Sequence, residues 1–135
     1  MRVFFDTNVL VSAFATRGLC ADLVGFVLVE HELVVGEIVL VELRRNLRER
    51  IKLPLEAIDE IEALLRESVV VPKPKTHLNL KITDPDDEWI VASAVQGKAD
   101  VLVTGDAALL RAAPRAPLPI VDPRGLWNRL RKSSA

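Results

Sequence analysis

The sequence predicts an α/β fold, a three-layer α/β/α sandwich around a central parallel sheet, in a single domain over residues 1–135. Three observations carry this. Short Val-rich runs show no polar alternation, the pattern of strands covered on both faces. Longer stretches with helical apolar spacing lie between them, the alternation of an α/β protein. A chain of 135 residues also buries a full core without disulfides or a structural metal.

The elements follow in order. Val3–Phe5 is the first strand, and Asp6, Thr7 and Asn8 lead from it into an apolar run that Asp6 is placed to N-cap. Ala21–Glu30 is apolar on most faces and reads as a mostly buried helix. Leu33–Val35 is the second strand. Glu37–Arg50 reads as an amphipathic helix, because Leu40, Leu43, Leu47 and Ile51 fall on one stripe. Pro54 opens a helix to about Glu67, with Ile58, Ile61 and Leu65 on one side. Val69–Val71 is the third strand. Pro72–His77 is expected to be extended and exposed, since each proline biases its predecessor away from helix, and Pro72–Thr83 reads as a surface connection. Asp84, Pro85, Asp86 and Asp87 make a capped helix start, with Asp at N-cap, Pro at N1 and acids at N2 and N3. The helix Asp87–Gln96 is apolar on nearly every face and is expected to be central. Val101–Val103 is a strand, Asp106–Ala113 a helix, Pro119–Val121 a strand and Pro123–Ser133 the last helix.

Composition narrows the function. Lys and Arg number 18 against 19 Asp and Glu, for a net charge of −1, so the chain is not a generic polycation that coats nucleic acid. The charge is uneven, however. Arg44, Arg45, Arg48, Arg50 and Lys52 form one basic cluster, and the segment after Arg111 is strongly basic, while Asp84, Asp86, Asp87 and Glu88 crowd one helix start. Cys20 is the sole cysteine and His31 and His77 are far apart, which removes an intrachain disulfide and a Cys/His zinc site. No apolar run is long enough to span a membrane. Asp6 and Asn8 interrupt what would otherwise be a signal-peptide core, so a cytoplasmic location and no membrane partner are expected.

Open parallel sheets bind ligands beyond the carboxyl ends of their strands. Asp6 and Asp106 follow two strands there, Asp87 starts the apolar helix, and Glu42 borders the leucine stripe together with Ile38, Arg45, Asn46 and Glu49. Each acid alone has a plain structural role as a helix cap or a solvated side chain. Converging on one mouth, they conflict: two such charges about 4 Å apart repel by about 4 kcal/mol at an effective dielectric near 20. A divalent cation removes the conflict, and an all-oxygen donor set points to Mg²⁺ or Mn²⁺. The matching chemistry is attack of metal-activated water on a phosphodiester. Thr7, Asn8 and Thr104 are placed to orient the carboxylates. Arg45 and the C-terminal Arg124, Arg129 and Arg131 are the candidates to hold the flanking phosphates.

The strings FFDTNVLVSA at Phe4–Ala13, EIVLVELRRNL around Glu42, DPDDEWIVASA at Asp84–Ala94 and ADVLVTGDAALL at Ala99–Leu110 resemble the PIN-domain ribonucleases. The resemblance is greatest to the compact VapC-like branch, the toxin components of toxin–antitoxin pairs, and it covers essentially the whole chain. It implies the sandwich fold, Mg²⁺ or Mn²⁺ dependence and endonucleolytic cleavage of RNA. It places the four family acids on Asp6, Glu42, Asp87 and Asp106, and the polar helpers on Asn8 and Thr104. Asp87 is chosen over its neighbours because it stands three residues before Ile90, which leaves Asp84 as the cap. The resemblance further implies a cognate antitoxin protein and a homodimer.

Rival readings are weighed by what they need. A haloacid-dehalogenase-type phosphatase wants a second Asp two residues after the first, where this chain has Asn8. A phospho-receiver needs an acceptor Asp at the end of a central strand, and neither Val35 nor Val71 is followed by one. A non-catalytic RNA-binding or scaffold domain of the same fold stays open. Trp89 is expected in the core, and Trp127 is expected to pack the C-terminal helix, with RNA stacking as its alternative.

Overall fold

The strand at Arg2–Phe5 (β1) is fully buried from Val3 to Phe5 and so takes the centre of the sheet. In the computed structural model, which describes residues 1–133, it is flanked by Glu32–Gly36 (β2) and Val101–Val103 (β4). Val69–Val71 (β3) and Ile120–Val121 (β5) form the edges, giving five parallel strands in the order β3-β2-β1-β4-β5. The register sets Phe4 between Val34 and Leu102. The predicted strands are all present, with ends differing by one residue.

Among the described residues seven α-helices fill the connections: Thr7–Ala15 (α1), Leu19–Glu30 (α2), Glu37–Glu49 (α3), Leu55–Arg66 (α4), Pro85–Gln96 (α5), Ala107–Ala112 (α6) and Pro123–Ser133 (α7). Right-handed crossovers running from β1 out to β3 place α1–α4 on one face. The return from β3 to β4 and on to β5 reverses direction and places α5 and α6 on the other. The chain therefore makes the expected α/β sandwich. No single described helix is long and apolar enough to cross a membrane.

One expectation is extended, since the run after Asp6 is capped as expected, and three need correction. Residues 7–15 form a full helix that periodicity alone does not announce, because its run is apolar on most positions; only the Asp6 cap marks it. Pro54 is the N-cap of α4 rather than its first residue. Helix α2 is less buried than its composition suggests: Leu23, Val24 and Val27 enter the core, while Val29 is 79% exposed and Phe26 also faces out. The segment after β3 is not a plain surface connection. Pro74, Leu80 and Ile82 are buried, the Leu80 N–H donates to Glu88 Oε2 at 3.2 Å, and Arg115 Nε donates to the Leu80 carbonyl at 3.0 Å. Leu80 and Ile82 point inward on either side of the exposed Lys81, which a proline count does not reveal.

The end of α5 shows why one glycine is needed. The left-handed position falls on Lys98, φ 55°, and the Ala99 N–H closes the turn onto the Ala94 carbonyl. Gly97 itself is at φ −78°, so conformation does not require it. Space does: a Cβ there would stand 2.6 Å from Val71 Cγ2 and 2.7 Å from Val34 Cγ1. Gly97→Ala is therefore expected to cost about 1–3 kcal/mol through overpacking. Urea unfolding checks this, and a variant as stable as wild type would show that α5 is free to shift outward.

Candidate active site

The strand order makes a switch point between β1 and β4, because the chain leaves β1 toward β2 and leaves β4 toward β5. Diverging connections open a crevice there beyond the strand ends. Asp6 follows β1 and Asp106 follows β4, so these two acids are brought to its lips from positions a hundred residues apart in sequence. The crevice has a volume of about 380 Å³, and Asp6, Glu42, Asp87 and Asp106 all line it. Glu42 enters from α3 and Asp87 from the first turn of α5. Neither Asp84 nor Asp86 lines it.

Two threonines fix the acids. The Thr7 N–H donates to Asp6 Oδ1 and the Thr7 hydroxyl to Glu42 Oε2, both at 2.7 Å, so one residue holds two carboxylates. The buried Thr104 hydroxyl donates to Asp6 Oδ2 at 2.7 Å and accepts the Asp106 N–H at 3.0 Å. Asn8 lines the crevice, and its Oδ1 accepts the Gly105 N–H at 3.4 Å. Asp84 Oδ1 accepts the Asp86 N–H and caps α5. Asp106 Oδ1 caps α6 by accepting from Ala108 and Leu109, while Asp106 Oδ2 makes no hydrogen bond among the described residues. The structural role and the open role thus fall on different oxygens of one carboxylate.

Electrostatics follow from this crowding. Asp6 is 7% exposed, and burial lifts its carboxyl above the ordinary value; Glu42 and Asp106 lift it further, against hydrogen bonds from Thr104 and Thr7 that lower it. Asp87 is pushed up to about 7, first by desolvation and then by Asp106, Asp84, Asp6 and Asp86. It has no hydrogen-bond donor among the described residues to offset this. Raised carboxyls give a definite pH sign. Below pH 4 Asp87 is protonated in both folded and unfolded chains. As pH rises toward 7, the unfolded chain loses the proton first, and the stability from this group is lost. In chelator, wild type is expected to melt lower at pH 8 than at pH 5, with Asp87→Asn flattening that fall and melting above wild type at pH 8. Thermal melts check both, and parallel pH profiles would show that Asp87 feels no neighbours.

The donor set suits a hard divalent cation: four carboxylates, with no thiolate or imidazole. Among the described residues no three Asp, Glu, His or Cys side chains form a ready-made cage.

The remaining expectations sort by place. Arg45 does not line the crevice but a separate depression with Arg44 and Arg48. Arg124, Arg129 and Arg131 lie on α7, and none lines the crevice. Residues not anticipated there are Asn46, Arg50 and Ile51 from α3 and beyond it, Val11, Ser12 and Ala15 from α1, and Thr16 just after α1. Asn46 and Arg50 carry a signal in the sequence, since they stand four and eight residues after Glu42 and so share its face. Trp89 is not a core tryptophan. It is half-buried, with the His77 ring edge-on at 4.7 Å and Lys73 Nζ 5.7 Å from its centroid. Trp127 is 37% exposed. A larger cavity, about 640 Å³, lies between the Pro72–Leu80 segment and α5, where Glu88 is the one carboxylate lining it.

A family model described as PIN domain matches residues 2–108. Among solved structures, the chain is similar to VapBC2 from Rickettsia felis bound to a DNA fragment from the promoter. Identity is 16% and the TM-score 0.64, over 90% of this chain and 98% of that one. It is similar to PAE2754 from Pyrobaculum aerophilum at 20% identity and TM-score 0.65, over 98% and 90%. VapBC-1 from nontypeable Haemophilus influenzae matches at 22% identity and TM-score 0.62, over 92% and 99%. At these identities the likeness is one of fold. No curated protein matches the chain.

Proposed function

The chain belongs to the PIN-domain family, and from that premise we propose that it is a Mg²⁺- or Mn²⁺-dependent endoribonuclease, the toxin of a toxin–antitoxin pair. The observation that carries this is the convergence of Asp6, Glu42, Asp87 and Asp106 on one crevice at the switch point of the sheet. When bound, the cation supplies a nucleophilic water at neutral pH and offsets charge on the phosphoryl oxygens. Asp6, Glu42, Asp87 and Asp106 hold it, directly or through water. Thr7 and Thr104 keep Asp6 and Glu42 aimed, so little reorganisation is needed as the substrate arrives. The first turns of α1 and α5 reach the crevice, and their N-terminal dipole ends favour both the carboxylates and an incoming phosphate.

The toxin role is supported by likeness in fold to structures described as VapBC. It brings a protein antitoxin and a homodimer as partners and a cytoplasmic setting. Phe26 and Val29 on α2, Val41 on α3 and Leu55 and Leu64 on α4 leave apolar surface exposed for such partners.

Titration calorimetry with Mn²⁺ tests the site, without and with a short RNA present. Wild type is expected to bind, and Asp87→Asn to bind at least about tenfold more weakly, the scale of losing one ligand or its support. No heat at millimolar Mn²⁺ under either condition would reduce these acids to helix caps and put the scaffold reading ahead.

A further inference from the structure

The crevice extends past its carboxylates as a groove between α1 and α3. Glu42, Asn46 and Arg50 line one side of it at intervals of four residues, so acid, amide and cation succeed one another along a single helix face. Eight residues of helix span about 12 Å, which carries Arg50 well beyond the acid end. Val11 and Ala15 of α1 face it across the groove, with Ile51 beside it.

Arg50 is the one cation among the residues lining this groove. Among the described residues its guanidinium makes a single hydrogen bond, from Nη1 to Asn46 Oδ1 at 3.2 Å, and pairs with no carboxylate. The Asn46 amide in turn donates to the Glu42 carbonyl at 2.8 Å, which holds the row in line. Other arginines are already engaged: Arg44 pairs with Asp59 and Glu62, and Arg66 with Glu37 and Glu62. Arg48 projects about 160° round the helix from Arg50 at 100° per residue, and lines a different depression.

We propose that this groove is the track of the RNA strand and that Arg50 holds a phosphate next along the chain from the one attacked. The assignment rests on the nuclease reading above. Four carboxylates repel a polyanion at one end of the groove, so a strand lying there needs a cation at the other. A planar guanidinium with open N–H groups matches a phosphodiester bidentately. The apolar wall of Val11, Ala15 and Ile51 meets sugar and base without reading sequence.

The test uses the Asp6→Asn chain, which keeps the groove, and a short fluorescein-labelled oligouridine whose affinity is followed over a range of KCl. Arg50→Ala in that background is expected to weaken binding about tenfold, the scale of one charge-assisted contact, and to lower the log–log salt slope by about 0.7. Arg50→Lys restores the slope, and Arg48→Ala leaves slope and affinity unchanged. In the active chain, Arg50→Ala raises KM for a cleaved RNA with little change in kcat. An unchanged slope in Arg50→Ala, with a lowered melting temperature or without one, overturns the assignment, as does an equal change in Arg48→Ala. Failure of the Asp6→Asn parent to bind oligouridine at low salt brings down the nuclease reading, and this assignment with it.

Discussion

Asp6→Asn is expected to lower RNA cleavage by roughly 100-fold or more, since each 1.36 kcal/mol removed from transition-state stabilisation costs tenfold and a metal-binding charge supplies several. The fold is expected to survive. Asn keeps an oxygen for the Thr7 N–H, so α1 keeps its cap. Its amide replaces the oxygen that faces Thr104, and the Thr104 hydroxyl turns to accept instead of donate. The substitution also removes a buried charge whose carboxyl is already raised by burial, Glu42 and Asp106. Thermal stability in chelator is thus expected to match or exceed that of wild type. Cleavage assays in Mg²⁺ with melts run alongside separate the two effects. Retained activity in a folded variant removes Asp6 from the chemistry.

Phe4→Ala has the largest expected effect on stability, about 3–5 kcal/mol for an aromatic truncated in a packed core. Phe4 is 0% exposed at the middle of the central strand, with a strand on either side. Its ring tip lies 3.4 Å from where a Cβ on Gly36 would stand, a point 3.3 Å from Ser93 of α5, so it fills the space between the sheet and α5. Neighbouring backbone is locked into the sheet on both sides, so the cavity has little freedom to collapse. Against a total of about 5–15 kcal/mol for a domain, the loss is a large share. Val29→Ala, at a position 79% exposed, is the control and should stay within about 0.5 kcal/mol. Urea unfolding of the two variants checks the contrast. A loss in Phe4→Ala below 1 kcal/mol would mean that the sheet closes around the gap.

Local features were legible from the residues. The Val-rich runs are strands because they lack any polar face, and Asp84 and Asp106 cap helices because their side chains reach N–H groups two or three residues on. Three of the four acids were legible as candidates for the same reason: Asp6 and Asp106 follow strands and Asp87 starts a helix, whereas Glu42, in the middle of α3, was marked by its place beside the leucine stripe. Helix α1 was marked only by Asp6, because nine mostly apolar residues carry little periodicity. The buried alternation at Leu80 and Ile82 was masked by the prolines before it.

The sequence by itself determined an α/β domain, its order of elements and the residue types available for metal chemistry. These depend on contacts within a few residues, and the chain order records such contacts directly. Tertiary structure alone decided the strand order, and with it the switch point that joins Asp6 to Asp106. It decided that Arg50 rather than Arg45 enters the crevice, because the rotation of α3 is set by packing Leu40, Leu43 and Leu47 on the sheet. It also decided the raised carboxyl of Asp87, since desolvation and repulsion come from side chains far away in sequence. Burial and like-charge proximity are properties of the assembled crevice, and no single segment of the chain contains them.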